Sequence, residues 1–369
     1  MKYFLIAGER SGDTHGSFLI RALKQQSPKA EVVGFGGDQM ETAGMHLISH
    51  YKEASFMGFW EVVKNIGVIR RRLQECQNAI GSFQPDALIL IDFPGFNLRI
   101  AKYASQQLIP VFYYISPKVW AWKEGRVRKI KKYVDRLYSI LPFEDAFYAR
   151  HNYPIKYVGN PVVEELQQYK FEKLPENDLP GVKIAYLPGS RVQEVLSSVE
   201  MIKTCALKKP DYQFFVAGVE NIPLEYYSPL LDLGNVHLKV GKTYEVLKLA
   251  DVAIVTSGTA TLETALLNVP QVVCYRTSKI TYLIAKAFVK VRFLSLVNLI
   301  QNEQIVKERV QQFYTSEIIL RDVDELLNSS EKRDNMLDKY AEIRTKLGTQ
   351  SASETMIRDL ISCLSDINR

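Results

Sequence analysis

This 369-residue chain lacks paired cysteines: Cys76, Cys205, Cys274 and Cys363 are scattered, with no CxxC spacing among them. That argues against a disulfide framework and a structural zinc site, and it suits a reducing compartment. Long hydrophobic runs are missing as well. No segment reaches the roughly 20 charge-free residues needed to cross a bilayer. The opening MKYFLIAGE carries one basic residue and a short apolar run, so it is expected to be a first buried strand and neither a signal peptide nor a spanning helix. Low-complexity runs and internal repeats are absent.

What is present is a large apolar fraction, 47%, in a chain longer than one core usually grows, so two domains are expected. Continuous apolar runs at residues 3–8, 32–37, 87–92, 110–115 and 136–141 alternate with helical stretches. A second series follows at 182–187, 213–217, 236–238, 252–255 and 271–275. Strands of this kind belong to parallel sheets covered on both faces. The fold class is α/β: two doubly wound, Rossmann-like domains facing one cleft. The charged, proline-bearing stretch 169–181 has no apolar period, and the break is placed near Gly159-Asn160-Pro161. The domains are expected at 1–160 and 161–345. Residues 346–369 form a helical tail expected to pack back on the first domain or on a partner subunit.

In open parallel sheets ligands bind beyond the carboxyl ends of strands. Five polar loops fall there, Ser116-Pro117 among them. Gly8 to Gly16, with Glu9, Ser11, Gly12 and Asp13, follows the first strand but matches neither GxGxxG nor the Walker pattern. Asp92 ends the run Ile89-Leu90-Ile91; it is suited to take a proton from a hydroxyl, and equally to cap a helix or bond the turn after it. Gly189-Ser190-Arg191 ends another strand. Its guanidinium suits a diphosphate, with a surface ion pair as the alternative. Ser257-Gly258-Thr259-Ala260-Thr261-Leu262-Glu263 turns a strand into a helix. Its free amides suit phosphate and Glu263 suits a ribose diol, while Ser257 or Thr259 acting as an ordinary N-cap is the plainer reading.

Three features lie outside these loops. Phe56, Met57, Phe59, Trp60, Val63 and Ile66 share an amphipathic segment that is either core or a surface dipping into a membrane. The net charge of +6 is concentrated at residues 118–136, where eight Lys and Arg stand against Glu124 and Asp135. Such a face suits anionic lipid, a phosphorylated substrate or nucleic acid, or is simply solvated. Asp322-Val323-Asp324 has a metal-binding look, but reads better as a helix start with acids favouring the dipole.

Taken together, the motifs are those of one family. They are Ala7-Gly8-Glu9-x-Ser11-Gly12-Asp13, Gly36-Gly37 with Met40 and Gly44, Met57-Gly58-x-x-Glu61-Val62 and Ile91-Asp92-x-Pro94-x-Phe96-Asn97. Tyr114-x-Ser116-Pro117-x-Val119-Trp120-Ala121-Trp122, Leu141-Pro142-Phe143-Glu144 and Leu187-Pro188-Gly189-Ser190-Arg191 follow. The Ser257 to Glu263 run and Ser295-Leu296-x-Asn298-Leu299 complete the set. The chain resembles the lipid-A-disaccharide synthases from Ala7 to about Glu308. The resemblance implies a GT-B glycosyltransferase that joins UDP-2,3-diacylglucosamine to 2,3-diacylglucosamine 1-phosphate (lipid X), with inversion to a β-1,6 linkage and release of UDP. It implies no metal and no cofactor, a peripheral position on the cytoplasmic, anionic face of the inner membrane, no nucleic acid, and a possible homodimer. Carried over, Asp92 is the general base and Arg191 the arginine at the donor diphosphate. Glu263 is at the ribose and Asn298 in the donor site, while Glu9, Ser11, Gly12, Asp13 and Ser116 face the acceptor. Gly95 stands where the family commonly has a second acid, and Val297 where it has proline. Other UDP-sugar enzymes of this architecture, a peptidoglycan-type transferase or an epimerase, are the alternative, and a non-catalytic nucleotide-sugar-binding protein is a more distant one.

Overall fold

The computed structural model describes residues 1–54, 66–278, 282 and 291–367. The chain divides into two units, Met1–Glu164 with Gly348–Arg369, and Glu165–Leu347. Unit 1 contains strands β1 (Lys2–Ala7), β2 (Glu31–Gly36), β3 (His46–His50), β4 (Ala87–Ile91), β5 (Val111–Tyr114), β6 (Arg136–Ser139) and β7 (Lys156–Tyr157). Among the described residues they form one parallel sheet in the order β3-β2-β1-β4-β5-β6-β7. Successive side chains of a strand point to opposite faces, and here both faces are dry. Tyr3, Leu5, Ile89 and Ile91 pack with Leu19 and Leu23 of helix Arg10–Gln26, while Phe4, Ile6, Leu88 and Leu90 pack with Ile100 and Ala104 of helix Pro94–Gln106.

Unit 2 repeats the plan with β8 (Val182–Leu187), β9 (Tyr212–Gly218), β10 (Val236–Val240), β11 (Val252–Thr256), β12 (Gln271–Tyr275) and β13 (Lys307–Val310). Their order is β10-β9-β8-β11-β12-β13, all parallel. Every apolar run read as a strand is one. Strands β3, β7 and β13 were not expected. His46-Leu47-Ile48-Ser49-His50 and Lys307-Glu308-Arg309-Val310 lie at sheet edges, half exposed, where no apolar run is needed.

In each sheet the strand order reverses once, between β1 and β4 and between β8 and β11. The loops leaving those four strands carry Gly8 to Asp13, Asp92, Gly189 to Arg191, and Ser257 to Glu263.

The Asp322-Val323-Asp324 triplet is not a helix start. Its helix begins at Ser316, with the Thr315 hydroxyl accepting the Ile318 amide at 3.4 Å. Asp322, fully buried, binds Lys307 at 3.1 Å and also Arg309, and Asp324 binds Lys209 at 2.7 Å and Tyr212 at 2.8 Å. Both carboxylates are engaged by strand and helix cations.

Helix Ala352–Ile367 packs in unit 1, where Met356, Ile357, Leu360 and Leu364 join the cluster of Leu19 and Leu23. Its polar anchor is Asp359, which accepts from Arg136 at 2.9 and 3.1 Å, from Tyr138 at 2.9 Å and from Lys156. Burial alone would raise its pKa, but these donors outweigh it and hold Asp359 at about 2. The depressed value stabilises the fold above the unfolded-state pKa, near 4, and that share is lost as pH falls toward 2. Asp359→Asn is therefore expected to cost about 1–3 kcal/mol at pH 7. In urea titrations its deficit against the parent chain should shrink between pH 4 and 2; a deficit independent of pH would contradict the ion-pair assignment.

Candidate active site

Strand β4 delivers its last apolar side chain at Ile91 and then turns sharply. Asp92 and Phe93 both adopt left-handed backbone, with φ of 44° and 48°. Two consecutive non-glycine residues in that region cost about 1–3 kcal/mol each, so the surroundings must hold them. They do so from three sides. Asn97 Nδ2 donates to the Asp92 carbonyl at 2.8 Å and to the Ile91 carbonyl at 3.2 Å, the Tyr113 hydroxyl donates to the Asp92 carbonyl, and the Asp92 amide donates to Tyr114 O at 3.0 Å. The Phe93 ring lies against Gly8, leaving no room there for a Cβ. Phe93, not Asp92, is the N-cap of the following helix, and it makes no side-chain cap bond. Asp92 therefore caps no helix, and its carboxylate accepts the amide of Phe93 in the turn that follows. Burial raises its pKa to about 6; Lys118 opposes the rise, Glu9 adds to it, and the Phe93 amide opposes it. A carboxylate so placed is ionised at neutral pH and is a stronger base than an exposed one.

The remaining acceptor-side candidates separate into two groups. Glu9 and Ser11 are exposed at the start of helix Arg10–Gln26, with Glu9 electrostatically coupled to Asp92. Gly12 is buried, and a Cβ there would sit 3.2 Å from that of Ala7, so it sets the approach of helix to strand. Asp13 is also buried and accepts the amides of Gly37 at 2.8 Å, Gln39 at 3.1 Å and Met40 at 3.0 Å. Asp13 therefore anchors the Gly36-Gly37 loop from within the unit.

Ser116 is likewise held within the fold. It is buried and donates to the Tyr148 hydroxyl at 2.9 Å. It opens a loop fastened by Trp120, whose indole donates to Glu144 Oε1 at 3.0 Å and stands edge-on to Phe143 at 4.9 Å. Glu144 is buried, and burial pushes its pKa to about 8 against the bonds from Trp120, Leu141 and Ser116. One polar network thus joins the Ser116 to Trp122 run to Leu141-Pro142-Phe143-Glu144. Beyond it Lys118, Trp122 and Lys123 are exposed. Arg136 leaves the basic face for Asp359.

In unit 2, Gly189 has φ of +100°, and a Cβ on it would come within 2.5 Å of Glu194 Oε2. Glycine lets the loop fold onto Glu194, which accepts the Ser190 and Arg191 amides at 3.1 and 3.3 Å. Arg191 is the N-cap residue of helix Val192–Lys208. Its guanidinium meets Glu194 at 3.3 Å but is 57% exposed, and such a pair is worth under about 1 kcal/mol. It is free to exchange that carboxylate for a ligand.

Thr259 is the N-cap of helix Ala260–Leu266, but neither it nor Ser257 caps by its side chain. Among the described residues the amides of Gly258, Thr259 and Ala260 make no hydrogen bond. Glu263, one turn on, is raised to about 8, first by burial and then by Glu165. Nothing in the local sequence marks Glu165, the first residue of unit 2; only the fold couples the two acids.

Asn298 is held within the fold as well. It is fully buried, giving its amide hydrogens to Val306 O and Glu308 Oε1, each at 2.9 Å, while its oxygen accepts Ile305 and Val306 amides at 2.8 and 3.0 Å. It fastens the approach to β13. The segment with Phe56, Met57, Phe59, Trp60 and Val63 lies outside the described residues, as does the Ile66 side chain. Among the described residues, no group of three or more His, Cys, Asp or Glu could hold a metal ion, and no helix is long and apolar enough to cross a membrane.

Comparison with known proteins adds to this geometry. The family described as lipid-A-disaccharide synthetase matches residues 3–359. A lipid-A-disaccharide synthase of Myxococcus xanthus is 36% identical over 375 residues, covering 98% of this chain and 97% of that one. One from Coxiella burnetii is 33% identical, covering 96% of each. Among solved structures, a UDP-GlcNAc 2-epimerase of Neisseria meningitidis bound to UDP-GlcNAc aligns with a TM-score of 0.68 at 16% identity, over 98% of this chain and 100% of that one. That likeness shows the two-sheet GT-B fold. With its motifs at the strand ends and relatives matched along nearly its whole length, the chain belongs to the lipid-A-disaccharide synthetase family.

Proposed function

We propose that this chain transfers 2,3-diacylglucosamine from UDP-2,3-diacylglucosamine to the 6-hydroxyl of 2,3-diacylglucosamine 1-phosphate, releasing UDP. The observation that carries the reading, within this family, is Asp92 on a strained turn at the strand-order reversal of unit 1, with a pKa near 6. Asp92 takes the proton of the 6-hydroxyl as its oxygen bonds to the donor's anomeric carbon from the face opposite the diphosphate, inverting it. The bond to the diphosphate oxygen breaks, and UDP leaves with the electron pair. Arg191 and the amides of Gly258 to Ala260 meet the growing negative charge. Glu263, carrying its proton at neutral pH, offers both a donor and an acceptor to the ribose diol. The electrostatic work needs no metal in this scheme, because Asp322 and Asp324 are already held by cations.

We further propose that the enzyme works on the cytoplasmic face of the inner membrane, docked through its basic face. Trp122 is 48% exposed, and the exposed Arg128 and Lys129 follow on the next helix. An indole flanked by cations suits the headgroup layer of an anionic membrane.

Asp92→Asn should lower kcat by about 10²–10⁴ while UDP still binds, and the parent's kcat/KM should fall below pH 6; unchanged turnover would remove the base assignment. Because the folded-state pKa is raised, ionised Asp92 lowers stability as pH rises from about 4 through 6. The same variant should accordingly be more stable than the parent by about 1–2 kcal/mol at pH 7 and equal to it below pH 4, as thermal melts can check. Arg191→Ala should weaken UDP binding by about ten- to hundredfold, and EDTA should leave turnover unchanged. Replacing Arg128 and Lys129 by Gln should cut binding to vesicles containing phosphatidylglycerol by about thirtyfold, at about 1 kcal/mol per charge. Binding that ignored these changes would place docking elsewhere.

A further inference from the structure

Arg99 and Lys123 gather around Arg126, which Tyr113 links to the backbone of Asp92. Arg126 is half-buried; burial lowers its pKa, the Tyr113 hydroxyl acts against that, and Arg99 lowers it further. Lys123 is lowered by burial and by Arg126. Among the described residues none of the three has an ion pair, and Arg99 makes only a 2.9 Å bond to the Gly95 carbonyl. Glu124, next in sequence to Lys123, faces His151 at 3.1 Å. Lys123 and Arg126 both lie over the Trp122 ring. On the other side of Arg126 stands Tyr113, whose hydroxyl binds the carbonyl of Asp92. Crowded cations that lack a counter-charge raise the energy of the empty protein, and a bound anion repays it.

We infer that Arg99, Lys123 and Arg126 form a phosphate-monoester site, and that its ligand is the anomeric phosphate of the acceptor sugar. The inference deepens the transferase reading above and rests on it. An acceptor whose hydroxyl reaches Asp92 presents its phosphate from the far side of the same sugar ring, so base and anion site must be neighbours, as they are here through Tyr113. A guanidinium pairs with two phosphate oxygens at once, and the partial burial of Arg126 strengthens that pairing. A bilayer headgroup would be met instead by outward side chains such as Arg128 and Lys129.

The test uses the full chain in detergent micelles, with 2,3-diacylglucosamine 1-phosphate and its dephosphorylated counterpart as acceptors. Arg126→Gln should raise KM for the phosphorylated acceptor ten- to hundredfold. It should leave KM for the UDP-sugar within about twofold and leave the rate with the dephosphorylated acceptor unchanged. Arg126→Lys should recover part of the loss, and Lys123→Gln, at an exposed position, should give a smaller loss of the same kind. An unaltered KM, or equal losses with both acceptors, would overturn the inference. So would loss of binding to phosphatidylglycerol vesicles with normal KM in micelles, which would make the cluster a headgroup contact. If the parent chain gave no disaccharide, the transferase reading would fall instead, and the two failures are thereby distinguished.

Discussion

The reversal of strand order in each sheet is the constraint from which the site follows. Crossovers between parallel strands are right-handed, so connections running left and right from a central strand put their helices on opposite faces. Where the direction changes, two neighbouring strands send their chains apart, and the gap between them is left unfilled. In unit 1 those strands are β1 and β4, and in unit 2 they are β8 and β11. The loops from all four carry the polar motifs, and the apolar strands beneath hold them in place. The left-handed residues Asp92, Phe93 and Ile115 sit just past β4 and β5, where the ladder ends and side-chain bonds take over.

Much of the motif chemistry serves those loops from behind. Asp13 holds the Gly36-Gly37 turn, Glu144 holds Trp120, and Asn298 and Glu308 fasten the segment between Ser295 and β13. Each is buried or carries several bonds, and removing one partner would strand the others at about 1–3 kcal/mol apiece. A family motif therefore marks two kinds of residue. Glu9, Arg191 and Thr259 are exposed, whereas Asp13, Ser116 and Asn298 are buried and hold the loops from within.

The strands and the identity of the loops were legible in the chain because parallel strands buried on two faces must be apolar throughout. Edges escaped that logic. Lys307-Glu308-Arg309-Val310 pairs with β12 on one side only, and its polar side chains answer Asp322 and Glu325 across the unit. The Asp322 triplet was misread for the same reason, since its partners come from distant segments. Local sequence separates neither Asp13 from Glu9 nor Asn298 from Thr259. The distinction lies in which way each faces, and only the assembled loops decide that. The coupling of Glu165 to Glu263 had no local signal at all.

The helix around Asp359 makes unit 1 discontinuous: its chain leaves at Glu164 and returns at Gly348, after all of unit 2. On a translating ribosome, therefore, unit 2 has its whole sequence before unit 1 does. Until the returning helix emerges, the apolar faces of Leu19 and Leu23 lack Met356, Ile357, Leu360 and Leu364, and Arg136 and Lys156 lack their carboxylate. The unit bearing the proposed base and basic face is thus closed last, so a nascent chain presents the whole of unit 2 while unit 1 still waits for its final helix.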